Sequence, residues 1–398
     1  MQIFCYILVK KSFHRKRESN ESRRMLLPLR KLATLFSLAM LFLVPAGLAA
    51  QPATSAAQRE WEKTLEAART EGRVVVSIPA SAELRKQLEE VVKKRLGIDV
   101  EVFTARGGAA VRRMADEFKA GVRHFDVHIG GSSSAVSGLL DEGLLDSIEP
   151  WLFLPEVKDP KNWWGGHMWV DKAKKYIYTF QAYLTESMWY NSDLAKPAEL
   201  RSYDDFLNPK WKGKIGFLDP RTPGAGDSNW SYMWEIKGED YLKKLADQEL
   251  LLGRDQRQLA ENLAKGRVAL IIGLTYYSFL PFVKAGLPVR PLPPLKEGTY
   301  GTGGSGNLAI IKNPPHPNAT KIFVNWLLGR EGQELFTKAL GQATRRLDVD
   351  TKWLRDAGVI PAKDSMAVKD YLPTENQSEE KLEKVREPAL KVAQKLLR

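Results

Sequence analysis

The sequence is almost free of cysteine. Its 398 residues include a single cysteine, Cys5. One cysteine cannot form a disulfide bond within the chain, nor can it supply the ligands of a cysteine-based zinc site. Such a chain is suited to an oxidising compartment. No cysteine follows the N-terminal segment, so a lipid anchor at a new N-terminus is also excluded if that segment is removed.

Sequence motifs of common enzymes are absent as well. The chain has no nucleophile elbow, no zinc-binding HExxH motif and no phosphate loop. The histidines beyond the N-terminal segment lack metal-ligand spacing, and His128 lies in a predicted strand, where we expect it to pack in the core. Residues 301–306 match the dinucleotide pattern GxGxxG, but they precede a strand, whereas that fingerprint opens a helix. The sequence therefore favours a protein that is not an enzyme and needs no cofactor.

A secretory signal is predicted near the N-terminus. Met25 is followed by the basic residues Arg30 and Lys31, an apolar stretch at 32–44 and small residues at 46–50. Signal peptidase can cut after residue 49 or 50. The apolar stretch is shorter than the roughly 20 residues of a membrane-spanning helix. We therefore expect export with cleavage and a periplasmic location. Residues 1–24 form an extension without a predicted role, and either Met1 or Met25 is the true start.

The charge balance changes when the signal is removed. Residues 1–50 hold nine of the Lys and Arg residues and two of the Asp and Glu residues, so the formal net charge falls from +12 to +5. A small excess of interspersed positive charge favours solubility over nucleic-acid binding. We therefore expect no nucleic-acid partner.

Beyond residue 58, short apolar strands alternate with amphipathic helices. Strands are predicted at 73–78, 99–103 and 125–129, each followed by a helix. This alternation predicts a parallel sheet with right-handed crossovers. The lysine- and glutamate-rich C-terminal stretch is interpreted as an ordinary helix surface.

A second α/β region follows a stretch at 176–191 that alternates like long strands and suits chain passing between two domains. Further strands are predicted at 215–217, 250–252 and 268–272, and another at 307–311. A helical pair at 320–340, broken at glycine 329, comes last. The sequence therefore predicts two α/β lobes joined by strands.

Several predicted strands end in small polar residues directly before a helix. Such junctions expose backbone N–H groups at a helix N-terminus, which favours anions. Ligands of open α/β sheets bind at the carboxyl ends of strands, so we expect these junctions to converge on one polar cleft. Alternatively, the small residues only satisfy turn and capping geometry. The candidate ligand-binding residues at these junctions are Ser77, Ser81, Arg106, Gly107, Gly108, Gly131, Ser132, Ser133, Thr222, Gly224 and Ala225.

Four further candidates follow strands of the second region. Thr275, Tyr276 and Tyr277 come after one apolar strand, and Arg254 ends another. The tyrosines could bind a ferric ion as phenolates, stack on a ligand or simply pack. The arginine could bind a carboxylate or phosphonate, or form a surface salt bridge.

Several motifs resemble the family 1 extracellular solute-binding proteins, in particular the branch containing ferric-iron-binding periplasmic proteins. The resemblance spans about residues 58–345, and its most specific match is Asp204-Asp205-Phe206-Leu207-Asn208-Pro209-Lys210-Trp211-Lys212-Gly213-Lys214-Ile215. The other matches are 125–143 with its Gly-Leu-Leu turn before Asp146, Tyr190-Asn191-Ser192-Asp193-Leu194, His316-Pro317-Asn318-Ala319 and Gly332-Gln333.

The resemblance implies a two-lobed α/β periplasmic-binding-protein fold of the type II kind, with a ligand cleft between lobes joined by hinge strands. The first lobe would comprise 58–182 and 305–345, and the second 183–304 and 346–398. The implied protein is a monomeric receptor that closes over a small-molecule solute and then docks onto an inner-membrane ABC permease. Presentation of the solute to a chemoreceptor is an alternative role.

The sequence leaves the solute open. Tyr276 and Tyr277 fall where iron-binding relatives keep paired tyrosines, so ferric iron is one hypothesis. Some of those relatives add histidine and glutamate from the first lobe, but 77–81 and 130–133 contain neither. A ferric site needs several hard anionic oxygens, for which Tyr190 is a further candidate. Hydroxyls, helix termini and arginines instead favour a small anionic organic solute of the carboxylate or phosphonate type. Sugars, polyamines and thiamine-like ligands are less favoured.

Overall fold

A computed structural model describes residues 55–104, 107–185 and 187–397. The predicted signal, Arg106 and the extension at 1–24 lie outside these ranges. Within them, no helix has both the length and the apolar character that a membrane crossing requires.

The described chain alternates helices and strands along its whole length. The α-helices are α1 (Ala56–Glu71), α2 (Ala82–Leu96), α3 (Gly107–Lys119), α4 (Ser132–Ala135), α5 (Pro155–Lys158), α6 (Ala225–Ala246), α7 (Gln256–Ala264), α8 (Tyr276–Lys284), α9 (Pro317–Leu328), α10 (Arg330–Leu340), α11 (Val368–Tyr371), α12 (Glu379–Lys381) and α13 (Glu387–Leu396). The strands are β1 (Arg73–Ile78), β2 (Asp99–Thr104), β3 (Val127–Gly130), β4 (Leu145–Asp146), β5 (Met168–Trp169), β6 (Tyr178–Thr179), β7 (Tyr183–Leu184), β8 (Met188–Asn191), β9 (Ile215–Leu218), β10 (Leu251–Gly253), β11 (Leu270–Ile272), β12 (Val289–Pro291), β13 (Gly301–Thr302), β14 (Asn307–Ile311) and β15 (Ile360–Pro361).

Shorter helical turns complete the described secondary structure. The 3₁₀ turns are Glu149–Trp151, Pro160–Asn162, Pro197–Glu199, Tyr203–Leu207, Pro209–Trp211, Lys352–Ala357 and Ala362–Asp364. π-Helical turns continue α4 at Val136–Leu140 and join α12 to α13 at Leu382–Arg386.

The first lobe is built on a seven-stranded sheet in the order β2-β1-β3-β14-β6-β5, with β4 also paired to β14. The parallel pairing predicted for the early strands is confirmed, because β1 pairs parallel with both β2 and β3. The sheet as a whole is mixed, since β14 runs antiparallel to β3 and to β6. Helices cover both faces, which explains the unbroken valine run of β1: Val74 and Val76 enter one core cluster and Val75 another.

Helix caps and one buried carboxylate stabilise the first lobe. Ser81 caps α2 by accepting a hydrogen bond from the Leu84 backbone N–H at 3.2 Å, and Gly97 ends that helix in the left-handed conformation. The buried Asp126 carboxylate accepts bonds from the backbone N–H of Val75 at 2.7 Å and of His316 at 2.9 Å. These two bonds join β1 to the start of α9 across the sheet.

The second lobe is built on a five-stranded sheet in the order β10-β9-β11-β8-β12. β9 pairs parallel with β10 and β11, whereas β8 is antiparallel to β11 and β12. α6 begins very close to β9: a Cβ atom added at Gly226 would lie 2.0 Å from the Leu218 carbonyl oxygen. Only glycine permits this approach, which brings the start of α6 to the end of β9.

The connection between the lobes differs from the prediction. The stretch at 176–191 forms three short strands, β6 to β8, rather than long ones. β7 leaves both large sheets and forms a small sheet with β13 and β15. The chain crosses back between β13 and β14, so the GxGxxG pattern at 301–306 links two strands and opens no helix.

The C-terminal stretch is more than the helix surface that the sequence indicated. α13 packs on α6, and Trp230 donates a hydrogen bond from Nε1 to the Ala389 carbonyl oxygen at 3.1 Å. Leu382, just before α13, enters a core cluster of the first lobe. This stretch therefore contacts both lobes, because its apolar residues are matched to two separate cores.

Replacing Gly226 with alanine tests the approach of α6 to β9. We expect the variant to lose about 1–3 kcal/mol of unfolding free energy, since its Cβ overlaps the Leu218 carbonyl. Gly108→Ala is the matched control, because a Cβ there meets no atom closer than 3.9 Å. Urea denaturation of both variants measures the difference. Equal stability of the two variants would contradict the packing.

Candidate ligand-binding cleft

A cleft of about 810 Å³ lies between the two lobes. Its first wall is formed at the carboxyl ends of β1 and β3, and its second wall at the ends of β9, β10 and β11. This is the position at which open α/β sheets bind ligands. The volume is within the range of pockets that bind small organic molecules.

Most of the predicted junction residues meet in this cleft. Those that line it are Ser77, Ser81, Gly131, Ser132, Ser133, Thr222, Gly224, Ala225, Arg254, Thr275 and Tyr277. Gly108 and Tyr276 do not line it, and Arg106 and the surroundings of Gly107 are outside what the structure describes.

Position in the sheet explains why Gly108 lies elsewhere. β2 is the outermost strand of the first sheet, whereas β1 and β3 are neighbours nearer its centre. Gly108, in the junction after β2, is therefore displaced from the cleft.

The side chains of the adjacent residues Tyr276 and Tyr277 lie in different environments. The Tyr276 ring lies 6.3 Å from that of Trp189, and a Cβ atom at Gly341 would meet it at 2.4 Å. Tyr276 is therefore a packing residue, whereas Tyr277 lines the cleft and hydrogen-bonds with the side chains of Thr275 and Gln256. Burial raises the pKa of both tyrosines, which disfavours the phenolate form.

The first wall contains hydroxyl groups without partners. The Oγ atoms of Ser132 and Ser133, at the start of α4, are buried and make no hydrogen bond within the described protein. Ser132 is only 2% exposed. Buried polar groups almost always have partners, so these two hydroxyls are suited to a bound solute. Glu83 is the charged residue among those that line this wall, and no Lys or Arg of the first lobe's described residues lines it.

His128 also belongs to this wall. Its Nδ1 lies 3.3 Å from Ser77 Oγ on the neighbouring strand, and its buried Nε2 has no partner. Burial lowers the pKa of His128 to about 4, so the ring is neutral at pH 7. The expectation of a buried histidine is met, since the ring is 1% exposed, but the residue faces the cleft as well.

The second wall carries the positive charge. Arg254 lines it, and its Nε donates to Asp219 Oδ2 at 2.9 Å. Burial alone would raise the pKa of Asp219, but hydrogen bonds from Arg221 and Arg254 outweigh burial and lower this pKa to about 2. The Arg254 side chain is mostly exposed and forms a salt bridge with Asp219. Both predicted alternatives therefore apply, because the same residue forms a surface salt bridge and lines the cleft. Arg257, Lys284 and Arg386 add further cationic groups to this wall, and Asp255 and Glu261 add two carboxylates, so the positive groups are in excess.

The sequence analysis did not identify the cleft residues that lie outside the strand–helix junctions. The missed residues come from the chain crossings and from the C-terminal stretch: Tyr183, Ser187, Tyr300, Thr302, Gln342, Gln377 and Arg386. No local pattern marks them, because distant segments bring them together. The only local signal was the glycine run at 301–306, where a Cβ at Gly304 would meet the Tyr183 hydroxyl at 1.9 Å.

Comparison with known families decides the classification. The model of the family described as bacterial extracellular solute-binding protein matches residues 80–334. The chain belongs to this family. The family assignment made from sequence motifs is thereby confirmed.

Solved structures show the same two-lobed periplasmic-binding-protein fold. The periplasmic binding protein AfuA of Actinobacillus pleuropneumoniae, solved with exogenous fructose-6-phosphate bound, is 19% identical, with a TM-score of 0.64 over 81% of this chain and 99% of that one. Iron-bound HitA of Pseudomonas aeruginosa is 18% identical, with a TM-score of 0.60 over 82% and 99% of the two chains. Trichodesmium IdiA (FutA), in complex with iron and citrate, is 18% identical, with a TM-score of 0.57 over the same shares. These likenesses confirm the predicted fold.

A curated relative matches only in part. An uncharacterized protein of Haemophilus influenzae is 26% identical over 142 residues, which cover 35% of this chain and 40% of that protein. The match therefore spans less than half of the relative's length.

Replacing His128 with glutamine tests the neutral histidine. The native pKa of about 4 is below the ordinary value of 6.5, so the unfolded chain binds a proton more readily between these values. We expect stability to fall as pH drops from about 6.5 towards 4, and His128→Gln to remove part of that fall. Urea denaturation of both proteins across this pH range measures it. Parallel pH profiles would contradict the burial of an unprotonated ring.

Proposed function

We propose that this protein is the periplasmic receptor of an ABC importer for a small anionic organic solute of the carboxylate or phosphonate type. The observation that carries the proposal is the pair of buried, unpartnered hydroxyls of Ser132 and Ser133 at the start of α4. Leaving buried polar groups unpaired costs about 1–3 kcal/mol each, which a bound oxyanion can offset. Arg254 supplies positive charge from the opposite wall.

Hinge closure would bring the two walls onto the solute. We propose lobes of residues 58–182 with 305–345 and 183–304 with 346–398, joined where β6 to β8 and β13 to β14 cross. A solute that contacts both walls binds the closed form more tightly and so shifts the equilibrium towards it. The closed receptor would then dock, as a monomer, onto an inner-membrane permease.

The cleft supports binding rather than catalysis. Among the described residues, Ser77 Oγ and His128 Nδ1 lie 3.3 Å apart, in the relation of a candidate nucleophile and base. Burial lowers the pKa of His128 to about 4, which makes it a weak base at neutral pH. Because the orienting nitrogen Nε2 also lacks a carboxylate partner, the arrangement does not form a catalytic triad.

Ferric iron is the alternative solute, and the cleft favours it less. Tyr277 lines the cleft, but its neighbour Tyr276 packs elsewhere and Tyr190 lies in the second-lobe core. Among the described residues, no group of three His, Cys, Asp or Glu side chains is placed to hold a metal ion. Tyr183 and Tyr300 also line the cleft. Burial raises the pKa of Tyr183 and Tyr277, however, which disfavours the phenolate form that a ferric ion requires.

A thermal-shift screen of the exported protein tests the solute class. The panel contains fructose 6-phosphate, phosphonoacetate, citrate, ferric citrate, spermidine and fructose. A solute present at a hundred times its dissociation constant should add about 2.7 kcal/mol of stability, because it binds only the folded form. We expect an anion to raise Tm, and Ser132→Ala to weaken that shift.

Ser137→Ala is the matched control for the screen. Its exposed hydroxyl bonds to the Ser133 carbonyl oxygen at 2.9 Å and does not line the cleft, so the shift should persist. A shift with ferric citrate but not with citrate, lost in Tyr277→Phe, would overturn the anion proposal in favour of iron.

Export is tested separately. The protein recovered from the periplasm should begin at Ala50 or Gln51, because the predicted signal ends in small residues at 46–50. N-terminal sequencing measures this directly. A periplasmic or membrane-bound form that retains residues 25–50 would contradict cleavage.

A further inference from the structure

The C-terminal segment, defined here as residues 374–397, contributes two polar side chains to the cleft. Gln377 and Arg386 both line it, and Arg386 is only 6% exposed. The segment lies beyond residue 334, where the family match ends.

Both lobes hold this segment in place. The Glu379 backbone N–H donates to the Val170 carbonyl oxygen at 2.9 Å, and Leu382 packs in the same first-lobe core as Val170. On the other side, Ala389 packs in the second-lobe core and accepts a hydrogen bond from Trp230. The backbone around Arg386 is thus anchored on either side.

Arg386 pairs with a carboxylate at the edge of the cleft. Its Nε donates to Asp227 Oδ2 at 3.1 Å, and its Nη2 donates to the same oxygen. Asp227 is 7% exposed and lies in the first turn of α6. Without Arg386, this negative charge would oppose the binding of an anion at the start of that helix.

The guanidinium of Arg386 can donate more hydrogen bonds than those it makes to Asp227 and Gly224. It carries five N–H donors in a planar fork. Its hydrogen bonds to Asp227 and, at 3.5 Å, to the Gly224 carbonyl oxygen use only Nε and Nη2. The two N–H groups on Nη1 take no part in these bonds. Gln377 differs, since its Nε2 donates to Thr302 and its Oε1 accepts from Asn307.

We propose that Arg386 binds the anionic group of the solute directly, through Nη1, so that the C-terminal segment determines the charge selectivity of the cleft. This inference rests on the proposed function and adds a contact outside the strand–helix junctions. The competing interpretation is that Arg386 only neutralises Asp227.

A double-mutant cycle separates these interpretations. Arg386→Gln alone leaves Asp227 buried without its ion-pair partner, so weaker anion binding is expected under both. Asp227→Asn keeps the arginine and removes the competing charge. The double variant Arg386→Gln/Asp227→Asn replaces the ion pair with two neutral amides. If Arg386 only neutralises Asp227, the double variant binds anions like the unmodified protein.

Titration calorimetry of the exported protein uses fructose 6-phosphate, phosphonoacetate and citrate, with fructose as the uncharged comparison. We expect Asp227→Asn to bind the best anion at least as tightly as the unmodified protein, and the double variant to bind it at least about tenfold more weakly. Lys395→Gln is the control, because it removes an exposed charge of α13 that pairs with Glu239. Its affinity should not change.

Three outcomes would overturn the inference. Unchanged anion affinity in the double variant would show that Arg386 acts only on Asp227. A tenfold loss in Asp227→Asn would show that the carboxylate, rather than the guanidinium, serves the solute, and this variant decides the matter even if the double variant does not fold. If the unmodified protein bound none of the three anions, the proposed function would fail first and this inference with it.

Discussion

The pairing of β14 with β3 is the constraint on which the rest of the structure depends. β14 belongs to the first sheet, although it follows the strands of the second sheet in the sequence. In the β14–β3 pairing, Asn307 lies opposite Gly130. The Asn307 side chain donates to the Gly130 carbonyl oxygen at 2.9 Å, directly before the residues that form the first wall. Neither lobe is therefore a continuous stretch of sequence. The crossing that joins the lobes therefore also positions one wall of the cleft.

The two walls differ in the way they can hold a negative charge. The first wall offers hydroxyls, a neutral imidazole and the start of α4, with Glu83 as its charged residue. The second offers guanidinium and ammonium groups that outnumber its two carboxylates, Asp255 and Glu261. Neutral donors hold an oxyanion without a strong charge–charge attraction. In the proposed function, the positive groups of the second wall would complete the environment of the anion on closure of the lobes. An anion would then bind weakly to the first wall alone and tightly to both walls together. This is the differential affinity that a closing receptor requires.

Local features of the fold were predictable from the sequence and distant ones were not. Residues 73–78 read correctly as a buried strand, and Ser81 and Gly97 correctly marked the ends of α2, because capping and hydrophobic pattern act over a few residues. The junctions of the cleft were found for the same reason. Other features depend on contacts between segments far apart in the chain. These are the different orientations of the Tyr276 and Tyr277 side chains, the absence of a partner for His128 Nε2 and the position of Arg386 beside Asp227. A single sequence does not encode these contacts in any local pattern.

Native mass spectrometry of the protein purified gently from the periplasm tests the central claim most directly. The account predicts a one-to-one adduct of a small organic solute that is lost on denaturation and detected afterwards as an anion. The cleft of about 810 Å³ has room for a small organic molecule, so the account predicts an adduct of small-metabolite mass. An adduct with the mass of iron alone, or a neutral solute, would contradict the account.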